Sequence, residues 1–305
     1  MVDDLPKDSV TIIIPTLNEE EAIGLVIDEF RSYGYNNIIV IDGGSSDKTV
    51  EIAKSKGVKV ISQEGKGKAM AIATALKYVV NTPYVLVVDG DYSYPARFLD
   101  EMLKTMNKFK CDEVIGVRSY GDGFTHTFKF GNIILTNVFN FLFGTKLRDV
   151  LSGMYLIRVD SVSDLLFEMK GFSIESEIVA HIASTGRKIC EVPIEYRKRL
   201  GKKKLGVRHG FRIALDMLRL AYRYNPVSLL LIISIPFLVM GFALSSYVLY
   251  RYVVYGVKHY VKGLIGLGLL AVGVLGIFLS LLSIYLKRFE IRIYRRIREL
   301  EKRLE

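Results

Sequence analysis

The sequence predicts an α/β fold: a doubly wound, mostly parallel sheet with helices on both faces, followed by an interfacial helix and a hydrophobic two-helix hairpin. Three observations carry this prediction. Apolar runs of strand length alternate with helical segments through the N-terminal two thirds of the chain. One run, Tyr84-Val85-Leu86-Val87-Val88, has no polar alternation and ends abruptly in Asp89-Gly90-Asp91, as a strand buried on both faces of a parallel sheet does. Two later stretches, Pro226 to Tyr250 and Gly263 to Leu286, contain no charged residue.

Taken in order, Val10-Thr11-Ile12-Ile13-Ile14 reads as a buried strand stopped by Pro15. Asn18-Glu19-Glu20-Glu21 then opens a helix, with a capping residue and acids in its first turn. Asn37 to Ile41 is a second strand, ending in Asp42-Gly43-Gly44-Ser45-Ser46-Asp47, where glycines permit a tight turn and Ser46 or Asp47 can cap the next helix. Val58 to Ile61 makes a third strand, and the turn Glu64-Gly65-Lys66-Gly67-Lys68 leads into a helix over Ala69 to Val80. After the Asp89 strand come a helix from Pro95 to Asn107 and a strand from Glu113 to Arg118. Further on, Gly171-Phe172-Ser173-Ile174-Glu175-Ser176-Glu177 opens a helix to Gly186, and Ile189 to Ile194 is a short strand. This alternation places Pro15–Glu19, Asp42–Asp47 and Asp89–Asp91 on one rim of the sheet.

Charge divides the chain. Residues 1–196 carry 21 Lys/Arg against 27 Asp/Glu, or −6, whereas residues 197–305 carry 21 against 5, or +16. The basic part also holds the two longest apolar runs, so anionic lipid headgroups rather than nucleic acid are its expected partners. Cys111 and Cys190 are isolated, without disulfide or metal-ligand spacing, and read as buried, reduced thiols of a cytosolic domain. The acidic start, Met1-Val2-Asp3-Asp4, lacks a signal-peptide apolar region.

The rim residues suit phosphate chemistry. Asp89 and Asp91 are hard oxygen donors separated by a glycine, appropriate to Mg²⁺ or Mn²⁺ carrying a diphosphate. Gly65 to Lys68 offers helix N-terminal N–H groups and lysine charge to phosphate, but without P-loop spacing. A solvated strand end and a solvated loop are the plainer explanations of each feature alone.

In order along the chain, Pro15-Thr16-Leu17-Asn18-Glu19, Asp42-Gly43-Gly44-Ser45-Ser46-Asp47, Gly65-Lys66-Gly67, Asp89-Gly90-Asp91 and Ser152-Gly153 resemble the motifs of family 2 glycosyltransferases of the GT-A fold, over roughly residues 8–215. The branch most resembled is the polyprenyl-phosphate (dolichyl-phosphate) sugar synthases. The resemblance implies that Pro15, Thr16, Asn18, Glu19 and Asp42 hold the base and ribose of a nucleotide sugar, with Lys66 and Gly67 near the nucleotide. It implies that Asp89 and Asp91 hold the ribose and the diphosphate-bound metal, and that Ser152 lies near the sugar or acceptor. One of Glu175 and Glu177 would face the sugar, although capping of their own helix explains both equally well. Arg197-Lys198-Arg199-Leu200-Gly201-Lys202-Lys203-Lys204-Leu205 resembles the family's Arg-x-Gly-x-Ser-Lys-Leu element, which makes Arg199 and Lys204 candidate contacts for an acceptor or diphosphate phosphate.

Departures bear on the sugar. Asp42-Gly43-Gly44-Ser45 stands where the family has Asp-Asp-Gly-Ser, and Ser93 stands where the mannosyl branch has Gln. UDP-glucose or UDP-N-acetylglucosamine is therefore expected ahead of GDP-mannose. Tyr155 replaces the arginine often found after Ser-Gly-Phe.

The expected organisation is a cytosolic catalytic domain over 1–205, a juxtamembrane amphipathic helix over 206–225, transmembrane helices near 226–250 and 263–286, and a basic tail helix over 287–305. In the amphipathic helix, Arg212, Asp216, Arg219 and Arg223 recur on one side, and Phe211, Leu215, Leu218 and Tyr222 on the other. Phe128 to Phe143 is a second apolar stretch that either docks beside this interfacial helix or is buried against the sheet. Each charge-free run is long enough to cross a bilayer, and its flanking Lys/Arg place both termini in the cytoplasm of a multi-pass membrane protein. The tail stripe Phe289, Ile293, Ile297, Leu300 and Leu304 is compatible with homo-oligomers or with a tail lying on lipid.

The expected chemistry is attack of a lipid phosphate oxygen on the anomeric carbon with one inversion, the Asp89/Asp91-bound metal and cations such as Arg118 stabilising the leaving diphosphate. Alternatives are transfer to another lipid such as diacylglycerol, with Glu175 or Glu177 as base, and a non-catalytic nucleotide-sugar-binding membrane protein. A processive polysaccharide synthase would by family likeness need a Gln-x-x-Arg-Trp motif, and the chain contains no Trp.

Overall fold

The computed structural model describes residues 5–79, 82–123, 126–163, 165, 174–201 and 207–304. It divides into two compact units, Met1–Met217 and Leu218–Glu305.

The first unit is built on seven strands: β1 (Val10–Thr16), β2 (Ile38–Asp42), β3 (Lys59–Ser62), β4 (Tyr84–Val88), β5 (Glu113–Tyr120), β6 (Met154–Arg158) and β7 (Ile189–Glu195), in the order β3-β2-β1-β4-β6-β5-β7. β1 pairs in parallel with β2 and β4, in a register that sets Thr16 against Asp42 and Ile13 against Val87. The chain winds outward from β1 to β3, then crosses back to β4. The carboxyl ends of β1 and β4 therefore form a switch point, where open α/β sheets bind ligands.

One strand departs from the sequence reading. β6 runs antiparallel to both β4 and β5, which makes the sheet mixed but still mostly parallel. The chain reaches it from β5 through α5, and it pairs antiparallel with both of its neighbours.

Among the described residues, six α-helices accompany the sheet: α1 (Ile23–Ser32), α2 (Thr49–Ser55), α3 (Lys68–Leu76), α4 (Phe98–Phe109), α5 (His126–Phe143) and α6 (Ile174–Ser184). One core cluster joins Ile12, Ile14, Leu86 and Leu156 of the sheet to Ile27 and Phe30 of α1 and to Leu99 and Met102 of α4. The alternate strand residues point to the other face, where α3 packs on β1 and β2. α1 begins four residues later than its acidic run suggests. Asn18 adopts a left-handed conformation (φ 53°), and its side chain accepts the Ser46 N–H at 2.8 Å, tying the turn after β1 to the turn after β2.

Cys111 and Cys190 are not separate thiols. They form a disulfide between residues 79 apart in sequence, because the parallel register of β5 and β7, which sets Val114 against Cys190, brings the two chain segments together. α5 is two-sided: Leu135, Phe139 and Leu142 are buried, whereas Phe130, Ile133, Ile134 and Phe141 are exposed.

The helix α7 (Val207–Tyr224) contains the division between the units. Phe211, Leu215, Leu218 and Tyr222 are exposed along it, while Ile213, Met217, Leu220 and Ala221 are buried. Asp216, grouped in the sequence with Arg212, Arg219 and Arg223 on one side, is buried as well.

In the second unit, α8 (Pro226–Tyr255) and α9 (Tyr260–Leu304) pack as a hairpin. Both are long and apolar enough to cross a membrane, and only 11% and 17% of their apolar windows are buried. A Cβ on Gly273 would lie 2.5 Å from Leu238 Cγ, so this glycine permits the close approach of the two helices. α8 runs five residues past its expected end. The second span and the tail are one continuous helix rather than separate elements, since no proline or glycine interrupts the chain after Gly276. Phe289, Ile293 and Ile297 are exposed on it; the side chains of Leu300 and Leu304 lie outside those described.

Candidate active site

At the carboxyl ends of β1 and β4 the first unit opens into a cleft of about 960 Å³. Ten of the expected site residues line it: Pro15, Thr16 and Glu19 after β1, Lys66 and Gly67 before α3, Asp89 and Asp91 after β4, and Arg118, Glu175 and Arg199 from more distant segments. Asn18, Asp42, Ser152 and Glu177 do not line it, and Lys204 lies outside the described residues.

The two carboxylates are held differently. Asp89 Oδ1 accepts a hydrogen bond from Lys68 Nζ at 2.6 Å, and the same ammonium reaches Glu175 Oε1 at 2.5 Å. Gly153 lies against Asp89 so closely that any Cβ there would collide with the carboxylate. Its role in the motif is thus to leave room for an acid. Asp91 Oδ1 accepts from the Ser93 backbone N–H at 3.1 Å and from the Ser93 hydroxyl. Arg199 stands 3.6 Å from Asp91 Oδ2 and 3.0 Å from Glu19 Oε1. Burial raises the pKa of Asp91 and the charge of Asp89 raises it further, against the opposing pull of Ser93 and Arg199.

Arg118 is the base of a rigid assembly. Its Nε and Nη2 donate to the two oxygens of Asp149, each at 2.7 Å, and Nη2 also reaches the Leu151 carbonyl at 3.0 Å. The guanidinium stacks 5.3 Å from the Tyr196 ring centroid. Burial works against its charge, but Asp149 outweighs burial and holds the pKa well above the ordinary arginine value. The bidentate partner largely matches the charge of Arg118.

The residues away from the cleft shape it. Asp42 accepts the N–H groups of Gly44 and Ser45 at 3.0 and 3.1 Å, which closes the turn after β2 and leaves Gly43 in the lining. The Ser152 hydroxyl donates to the Gly116 carbonyl at 2.5 Å and ties the start of β6 to β5. Glu177 is fully buried within α6.

Sequence reasoning missed the role of Lys68 and the partner of Arg118. Both acids paired with Lys68 are distant in the chain, Glu175 by 107 residues, and no local pattern marks such a pair. The apolar side of the cleft is lined by Phe128, Ile134 and Leu135 of α5 and by Phe211 and Ile213 of α7; the sequence suggested that these two helices dock beside each other, but not that they line the cleft.

Asp89 and Asp91 are two hard oxygen donors at one strand end and fit a Mg²⁺ or Mn²⁺ ion. Among the described residues no group of three or more His, Cys, Asp or Glu forms a ready-made cation cage, so the remaining ligands of such an ion would come from diphosphate and water.

A family model for glycosyl transferase family 2 matches residues 11–166. The glycosyltransferase AglJ of Haloferax volcanii is 34% identical over 301 residues, covering 96% of this chain and 99% of its own. A dolichyl-phosphate hexose transferase of the same organism is 33% identical over 203 residues, covering 65% of this chain and 87% of its own. Among solved structures, glucosyl-3-phosphoglycerate synthase from Mycobacterium tuberculosis with phosphoglyceric acid superposes with a TM-score of 0.58 at 20% identity, over 70% of this chain and 79% of that one. The same enzyme with Mn²⁺, UDP and glucosyl-3-phosphoglycerate gives 0.56, over 69% and 77%. The mixed sheet with its cleft at the β1/β4 switch point is thus a GT-A fold, and the chain belongs to glycosyl transferase family 2.

Proposed function

We propose that the protein transfers a hexose from a nucleoside-diphosphate sugar to a polyprenyl phosphate of the dolichyl type. The observation that carries this reading is the composition of one cleft: Asp89, Asp91 and cationic side chains beside β1 and β4, and an apolar wall from α5 and α7. A sugar diphosphate matches the first part and an isoprenoid chain the second. The full-length similarity to a glycosyltransferase and the similarity to a dolichyl-phosphate hexose transferase support the same pairing.

In this reading Pro15, Thr16 and Glu19 hold the nucleoside, with Asn18 and Asp42 maintaining the turns that shape its pocket. Lys66 and the Gly67–Lys68 backbone meet the phosphates. A Mg²⁺ or Mn²⁺ ion held by Asp89 and Asp91 would neutralise the departing nucleoside diphosphate. Arg199, beside Asp91, faces the phosphate oxygens, and Arg118 keeps Tyr196 and the cleft floor in place. An oxygen of the lipid phosphate, already largely ionised at neutral pH, attacks the anomeric carbon as the carbon–diphosphate oxygen bond breaks. An α-linked donor then yields a β-linked lipid-phosphate sugar. The short Ser93, committed to Asp91, favours a UDP-hexose over GDP-mannose. Transfer to a lipid hydroxyl would require a free base, and Glu175 is instead bound to Lys68.

The membrane arrangement belongs to the same proposal: a catalytic domain over 1–205, an interfacial helix over 206–225, a bilayer hairpin over 226–286 and a basic tail over 287–305. With ten Lys/Arg in 197–223 and eight in 287–303 against three in 251–262, both termini are cytoplasmic. The test is to incubate the purified protein and Mn²⁺ with UDP- and GDP-sugars and polyprenyl phosphate, and to determine the anomeric configuration of the lipid product. A β-linked product from one UDP-hexose is expected; an α-linked product would overturn direct displacement.

A further inference from the structure

Lys68 is the first residue of α3, and its buried ammonium bridges Asp89 and Glu175. An ammonium is the ordinary form of a lysine side chain at neutral pH, when a cation would have to bind. Asp91 carries its own internal partners, Ser93 and Arg199. Both acids after β4 are thus engaged by groups of the protein itself. A divalent ion with only two carboxylate ligands must draw the rest of its shell from water and substrate phosphate, and here it meets a fixed positive charge as well.

We propose that Lys68 is a resident counter-ion that competes with the divalent cation for Asp89, so that the metal binds tightly only together with the nucleoside diphosphate. The inference rests on Asp89 and Asp91 being the metal–diphosphate site proposed above. A free ion must take Asp89 from the ammonium and then sit beside a retained positive charge held by Glu175. A metal–diphosphate complex meets no such penalty, since its phosphate oxygens offer the released ammonium a new anionic partner. Metal and nucleotide are then positively coupled, and by linkage each raises the affinity for the other by the same factor. Glu175 acts here as a positioning residue, keeping Lys68 at the cleft wall while Asp89 is occupied.

The test measures Mn²⁺ binding by the paramagnetic resonance signal of the free ion, using the full chain in detergent with and without UDP. Lys68→Gln should bind Mn²⁺ without UDP roughly tenfold or more tightly than the wild type, a scale typical of coupling between neighbouring sites, and UDP should add correspondingly less. Glu175→Gln leaves the ammonium to Asp89 alone and should weaken Mn²⁺ binding in the presence of UDP. Unchanged affinities in both variants, alongside UDP-dependent binding by the wild type, would overturn the inference and leave the donor site intact. Should Lys68→Gln fail to fold, unchanged binding in Glu175→Gln overturns it alone. Absence of Mn²⁺ binding by every form, with UDP or GDP, would overturn the metal–diphosphate reading and this inference with it.

Discussion

Asp91 combines burial, a neighbouring like charge and a hydroxyl partner within one turn of chain. Replacement by Asn keeps the shape and the Ser93 contacts but removes the charge that would meet a cation. Asp91→Asn is expected to lower turnover roughly a hundredfold or more, in line with loss of metal-assisted stabilisation of a leaving group, with an unchanged melting temperature. Near-normal turnover would contradict the role. Glu113 offers a second test, of electrostatics away from the cleft. It is 1% exposed, and burial lifts its pKa from 4.5 to about 8. The folded protein keeps this proton while the unfolded chain loses it near the ordinary value. The contribution is therefore whole below 4.5 and is lost as pH rises toward about 8. Glu113→Gln should match the wild type in stability near pH 4.5 and exceed it increasingly above, by about 1.4 kcal/mol per pH unit through this window. Parallel pH profiles of melting would refute it. Asp89, Asp91 and Glu19 were legible as residues because each closes a short motif. The pairings Lys68–Glu175 and Arg118–Asp149 were not, since they depend on how α3, α6 and β5 come together.

Among elements, the apolar run of β4 announced itself, because burial on both faces leaves no polar alternation. β6 did not: it follows α5 as a parallel strand would follow a crossover helix, and nothing local in Met154–Arg158 marks its reversed direction. The tail was read as separate from the second span because composition changes sharply at Lys287, yet helix propensity does not, and α9 continues through the boundary. The hairpin contact is testable at this scale. Gly273→Leu forces a side chain against Leu238, whereas Gly268 has open space around its Cβ position. Gly273→Leu should destabilise the α8–α9 pair by about 1–3 kcal/mol, the usual cost of overpacking, and Gly268→Leu should not. Equal effects in a denaturant titration would contradict the assigned packing.

At the scale of the molecule, the charge division at residue 196 lies inside the first unit, which runs to Met217 and so includes the basic run that begins at Arg197. The disulfide is the feature that composition concealed: two cysteines far apart in sequence gave no spacing to interpret, and adjacent parallel strands joined them. Closing a loop of 79 residues is worth about 4.5 kcal/mol by the chain-entropy model, so reduction, or Cys111→Ser with Cys190→Ser, should lower the melting temperature. An unchanged melting curve would show that the bond adds little. The two chemistries of the cleft meet in one reaction, UDP release from a UDP-hexose, measured with and without polyprenyl phosphate and with diacylglycerol as the competing acceptor. Release should depend on polyprenyl phosphate and be insensitive to diacylglycerol. Equal release without the lipid phosphate, or release that requires diacylglycerol, would contradict the proposed transfer.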